Sequence, residues 1–288
     1  MRVAKSSKPG VALLSRYPVA GELARPSRVA MPRLPRLHAP GGTVHITGRC
    51  NNRAFCFTTP EDFQLLLTHL RDMLSLYAST CYAYTLMANH VHLLLQIPAQ
   101  DPVARPLRWF FRETTRTWQR LHGHRGHFWE RRYWACLVDD DRYALAALRY
   151  LDRNPVRAGL VADPATYPWS SCAAYAQSRP DPLVTFHPSY LALSPYPKVR
   201  QRQYRALLAP AADPRADVRN PRWTTERAVG SAAFLARHRL RPRLLGRIGI
   251  DHVKDTGHLL NAKGLVLRRG VFNSPGSCGA HETVSVSR

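Results

Sequence analysis

The stretch Met87-Ala88-Asn89-His90-Val91-His92-Leu93-Leu94-Leu95-Gln96 decides how this chain folds. As an extended strand it turns Val91, Leu93 and Leu95 to one face and His90 and His92 to the other, because strand side chains alternate. The first face is a core face. The second brings two imidazoles together, a pairing that binds divalent metals readily when the rings are neutral. By spacing alone it also describes two ordinary packed or surface histidines. A second apolar run, residues 81–87, precedes it, and Ala88-Asn89 between the runs suits a hairpin.

Working outward, Val44, His45, Ile46 and Thr47 alternate as a strand does, which puts His45 on a face it can share with the H-x-H pair; it is read as a packed residue. Thr59-Pro60-Glu61 supplies an N-cap, a proline at the first helical position and an acidic first turn for a helix over 61–77. Asp101-Pro102 opens a second helix to about residue 121. On it Arg105, Arg108, Arg112, Arg116 and Arg120 recur every three or four residues, either as a solvated face or as a track for phosphates, with Trp109, Phe110 and Trp118 among them for packing or base stacking. A strand over 133–138 follows. Asp139-Asp140-Asp141 is read as the cap of a third helix that reaches Asn154, where Pro155 stops it. The order strand, helix, strand, strand, helix, strand, helix describes an α+β protein: a ferredoxin-like antiparallel sheet with helices on one face and one added helix.

Charge narrows the partners. Lys and Arg number 42 against 19 Asp and Glu, a formal net charge of +23, which favours a polyanion, nucleic acid above all. Arg outweighs Lys, and guanidinium forks hold phosphate oxygens bidentately. No run approaches the roughly 20 apolar residues that cross a bilayer, so a soluble cytoplasmic protein without membrane contact is expected. Six scattered cysteines without a C-x-x-C pair argue for reduced thiols. Residues 1–40 read as a flexible basic leader, 41–178 as the main folded domain and 179–250 as a basic, partly irregular extension that adds DNA affinity. Twelve Arg against three acidic residues between positions 200 and 250 carry that last reading. A short helical module is expected at about 225–239, and 251–288 read as a disordered tail.

Tyr150 and Asn154 are four residues apart and so share a helical face. Laid against the histidine strand, they offer a phenol nucleophile and a carboxamide metal ligand. The bland alternative is a packed aromatic and a polar helix end. Tyr143, seven residues earlier on nearly the same face, is a rival nucleophile that spacing does not exclude. His124, His127, Glu130, Arg131 and Arg132 form a second polar cluster, read as structural or DNA-contacting before metal-binding.

Four strings in order, MANHVHLLLQ (87–96), GHFWERRYW (126–134), RYLDRNPVRAGLV (149–161) and YPWSS (167–171), resemble the signature of REP-associated tyrosine transposases, IS200-like single-tyrosine HUH nucleases. The likeness covers about half the chain. Ala88 stands where the family usually has proline, and Leu151, Asp152 and Arg153 depart from the common residues of the tyrosine helix. The resemblance implies Tyr150 as nucleophile, His90, His92 and Asn154 as ligands of Mg²⁺ or Mn²⁺, and single-stranded or hairpin DNA of palindromic repeats as substrate. It implies a 5′-phosphotyrosine intermediate and no organic cofactor. Arg108, Arg112, Arg116, Arg131, Arg132, Arg153 and Arg157 are the expected DNA contacts. A regulator that binds palindromes without turnover and a hydrolytic metal nuclease remain the rivals, and oligomeric state is left open.

Overall fold

In the computed structural model, residues 39–139, 142–210 and 220–238 are described. Strand β1 (Thr43–Arg49) leads into helix α1 (Pro60–Leu76), whose start is fixed by a capping box: Asp62 N donates to Thr59 Oγ1 at 3.4 Å, and Thr59 N to Asp62 Oδ2 at 3.1 Å. Strands β2 (Thr80–Met87) and β3 (His90–Gln96) then form the expected hairpin, closing over Ala88 and Asn89 with Met87 opposite His90. Helix α2 (Ala104–Leu121), strand β4 (Trp134–Val138) and helix α3 (Arg142–Asp152) complete the anticipated order.

The sheet runs β2-β3-β1-β4, all antiparallel, and is extended by a fifth strand, β5 (Ala228–Val229), lying parallel to β4. One face carries Val44, Ile46, Val91, Leu93, Leu95 and Leu137 against α1 and α2, the helical layer the sequence order calls for. Burial of each such large apolar side chain contributes about 1.5 to 3 kcal/mol, so this layer is the main stabilising core. Gly48 is required here: a Cβ at this position would come within 2.3 Å of the Phe111 ring, which lies directly on the strand. The added helix α3 covers the opposite face, packing on Tyr82, Leu94, Cys136 and Val138.

Two readings at the ends of α3 need correction. Asp139, taken as part of its cap, instead accepts from Ser231 N at 3.0 Å and Ser231 Oγ at 2.8 Å, tethering the N-cap of helix α9 (Ala232–Arg237); Asp140 and Asp141 lie outside the described residues. Pro155 does not end helical structure. After a break at Arg153, it occupies the first turn of a short helix α4 (Asn154–Arg157), a place where its missing N–H costs nothing.

Beyond α4 the chain forms helices α5 (Cys172–Gln177), α6 (Pro188–Leu191) and α7 (Pro197–Leu208), then α8 (Arg222–Thr225), β5 and α9. Tyr175, Tyr190, Tyr204 and Trp223 from these elements are buried in the same cluster as α3. The described part of the basic extension is thus packed on the sheet. The expected leader before residue 39 and the tail over 251–288 lie outside the described residues. The five cysteines among the described residues form no disulfide.

Candidate active site

Alternation along β3 places His90 and His92 on the α3 face, as the sequence indicated. Their ring centroids are 5.0 Å apart and the planes nearly perpendicular. Helix α3 is pinned over them by Thr85 of β2, the cross-strand partner of His92, whose Oγ1 donates to the Leu151 carbonyl at 3.1 Å. That contact sets Tyr150 beside the pair: its ring is 5.5 Å from His92 and 5.7 Å from His45. Tyr143, two turns earlier, lies under the Arg142 guanidinium instead.

Each imidazole is held through its Nδ1. His90 Nδ1 is 2.6 Å from Asn89 Oδ1, an acceptor, so the proton is on Nδ1 and the lone pair on Nε2. Asn89 is anchored in turn, its Nδ2 donating to the Arg53 carbonyl at 3.2 Å. His92 Nδ1 is 3.0 Å from His45 Nε2 and 3.1 Å from Thr47 Oγ1, both on the adjoining β1. His45 is fully buried, and that burial drives its pKa down to about 3, with the Trp223 backbone pulling weakly the other way; the ring is neutral. Metal-binding histidines are characteristically oriented by such outer partners.

Asn154 Nδ2 donates to the Tyr150 carbonyl at 2.9 Å, which fixes which end of the carboxamide is nitrogen and leaves the oxygen as the ligating end. Among the described residues no group of three His, Cys, Asp and Glu side chains is placed to hold a metal. A carboxamide oxygen and imidazole nitrogens are donor types that divalent ions accept.

The arginines divide. Arg108, Arg112 and Arg116 are exposed on α2, on the face of the sheet opposite the histidines. Arg112 and Arg116 border a shallow groove of about 430 Å³ together with Phe111 and Trp129. Arg131 and Arg132 are exposed in the loop where Glu130 N bonds the Arg49 carbonyl, at the end of β1 that faces His90. Arg153 and Arg157, both expected on DNA, are otherwise employed. Arg153 is buried and donates to the Leu208 carbonyl at 2.6 Å. The Arg157 guanidinium covers the Tyr150 ring at 4.7 Å and donates to the Tyr150 carbonyl at 2.5 Å. His124 packs against Trp118, in line with a structural role.

Sequence reasoning left two neighbours out of the site. His45 had a visible signal, the alternation of β1, but which strand it pairs with is not written in its own segment. Trp223 had none: it lies in a four-residue helix before a two-residue strand, too short for any periodicity. Its ring is 6.0 Å from both Tyr150 and His45.

Residues 40–154, which span the histidine pair on β3 and the tyrosine helix, match the model of the family described as transposase IS200-like. The matched stretch takes in both histidines of β3, Tyr150 and Asn154. A curated relative from Haemophilus influenzae, named a REP-associated tyrosine transposase, is 28% identical over 123 residues, which is 37% of this chain and 70% of the relative. The resemblance seen in the four sequence strings is thereby borne out. Among solved structures, a REP-associated tyrosine transposase bound to a REP hairpin is 20% identical with a TM-score of 0.44, covering 54% of this chain and 95% of that one. A transposase from Deinococcus radiodurans is 18% identical with a TM-score of 0.32, covering 44% and 92%.

Proposed function

We propose that this protein cleaves and rejoins single-stranded, hairpin-associated DNA through a covalent bond to Tyr150, with Mg²⁺ or Mn²⁺ bound by His90, His92 and Asn154. The observation that carries the reading is the placement of the Tyr150 ring 5.5 Å from His92, on the helix that also bears Tyr143 but not beside Tyr143. A divalent ion bound there polarises the scissile phosphate and offsets charge in the transition state. The chain's own residues do the rest. Asn89, His45 and Thr47 hold the two imidazoles, and Arg157 and Asn154 fix the backbone of the nucleophile.

Tyr150 Oη forms a bond to phosphorus as the bond to the 3′ oxygen breaks. The phenol loses a proton and the departing 3′ oxygen gains one, so one phosphodiester replaces another. Attack by a 3′-hydroxyl in the reverse sense rejoins strands. The family match, the REP-associated relative and the net charge of +23 support this substrate class. Arg131 and Arg132 at the His90 end, and Arg108, Arg112 and Arg116 on α2, are assigned to the phosphate backbone. A cytoplasmic site of action suits a DNA substrate, and no helix among the described residues is long and apolar enough to cross a membrane.

A second reading, palindrome binding without turnover, is favoured by one observation: Tyr150 is only 4% exposed. The deciding experiment incubates wild type, Tyr150→Phe and Tyr143→Phe with labelled single strands of the repeats that flank the gene, in Mn²⁺, and looks for a covalent adduct on denaturing gels. Loss of the adduct in Tyr150→Phe alone is expected. An adduct that persists in Tyr150→Phe overturns the assignment, and specific binding with no adduct in any of the three establishes the regulator.

A further inference from the structure

Outside the family-matched residues 40–154, one aromatic touches both halves of the site. Trp223 is 4% exposed; its ring packs tilted on Tyr150 and edge-on to His45, each at 6.0 Å between centroids. His45 Nε2 is in turn 3.0 Å from Nδ1 of His92. One ring thus backs the nucleophile directly and a metal-binding imidazole through a single intermediary.

The position of that ring is strongly determined. Arg222 and Glu226 pair across one turn at 3.2 Å, closing α8 around Trp223. The chain that follows is stitched to β4: Trp134 Nε1 donates to the Glu226 carbonyl at 3.1 Å, Leu137 N to the Arg227 carbonyl at 2.8 Å, and Asp139 N to the Val229 carbonyl at 2.9 Å. These bonds fix residues 226–229 to β4, which lies beside His45 because His45 pairs with Cys136 across β1 and β4, and so they fix where the preceding Trp223 ring can sit.

We infer that residues 222–229 are a working part of the active site, in which Trp223 is a positioning residue that holds Tyr150 and the His45–His92 pair in register. The inference rests on the tyrosine reading above. Misplacement of a reacting group by about 1 Å costs on the order of 100-fold in rate, while the DNA-binding surface is untouched by the same change. The signature of positioning is therefore a loss in the chemical step without a loss in DNA affinity.

The test uses the full chain with Trp223→Ala, Trp223→Leu and Trp223→Phe, measuring single-turnover adduct formation, affinity for the same oligonucleotide without metal, and Mn²⁺ affinity without DNA. Alanine and leucine are expected to slow adduct formation by about 10- to 100-fold with DNA affinity retained and Mn²⁺ binding weakened, and phenylalanine to restore most of both. Leucine keeps apolar volume without an aromatic face, and it replaces alanine if the alanine variant does not fold. Equal rates for leucine and phenylalanine, a parallel fall in DNA affinity, or unchanged Mn²⁺ affinity in the leucine variant overturns the inference. If wild type itself forms no adduct, the tyrosine reading fails first, and the Mn²⁺ measurement alone decides whether Trp223 supports His92.

Discussion

The hydroxyl of Thr85 donates to the carbonyl of Leu151 at 3.1 Å, and Thr85 is the strand partner of His92. A buried bond therefore ties the tyrosine helix to the strand position opposite His92. Thr85→Val keeps the shape and removes this donor, leaving the Leu151 carbonyl only the longer 3.4 Å contact from Asn154 Nδ2, at a cost of about 0.5 to 1.5 kcal/mol. Urea unfolding is expected to show that loss, and the rate of adduct formation is expected to fall further than stability explains. A variant with wild-type adduct rate would show that α3 is positioned by packing alone.

Asn89 orients His90 through a 2.6 Å contact to its Nδ1. Asn89→Leu should weaken Mn²⁺ binding by roughly 10- to 100-fold, the usual effect of removing an outer partner of a metal-bound histidine. Calorimetric titration of the DNA-free protein reads this directly. Retained affinity would mean that His90 is not a ligand or needs no orientation.

His187 provides a pH signature away from the site. It is buried, its Nδ1 accepts from Ser189 N at 3.1 Å, and burial lowers its pKa to about 4. The unfolded chain therefore binds a proton at this residue that the folded one refuses, and stability is fully present above pH 6.5 and falls as pH drops towards 4. The lowering to about 4 corresponds to a difference of roughly 3 kcal/mol. His187→Asn keeps a capping side chain and loses the titration. Unfolding curves at several pH values should show wild type losing that much relative to the variant; parallel curves would refute the assignment.

Arg112 and Arg116 border a groove with Trp129 on the face away from the histidines. If a DNA strand follows that groove, Arg112→Ala with Arg116→Ala should reduce the slope of log affinity against log salt by about 1.4, at 0.7 per phosphate of a single strand. Mn²⁺ affinity should not change. An unaltered slope would confine DNA to the other side of the sheet.

What was legible in the sequence is what regular periodicity writes. The alternation of β1 and β3, the Thr59 cap and the arginine spacing of α2 each lie within one segment, and each emerges as read. The shared face of Tyr150 and Asn154 was also local. The long-range partners were not. Asp139 reads as a cap because a helix follows it, but its carboxylate meets Ser231 from far along the chain. Arg153 and Arg157 were expected on DNA, yet the Leu208 carbonyl and the Tyr150 ring engage them. Trp223 belongs to elements of four and two residues, where tertiary pairing alone creates structure.

The parallel pairing of β5 with β4 brings a late-made part of the chain against an early-made one. Roughly seventy residues separate Tyr150 from Trp223. At about 5 to 20 residues per second, a ribosome spends some 4 to 15 seconds between them. During that interval the tyrosine helix has been synthesised but its backing ring has not. The surroundings of the Tyr150 ring are thus completed only after most of the chain has been made, an order set by where Trp223 falls in the sequence.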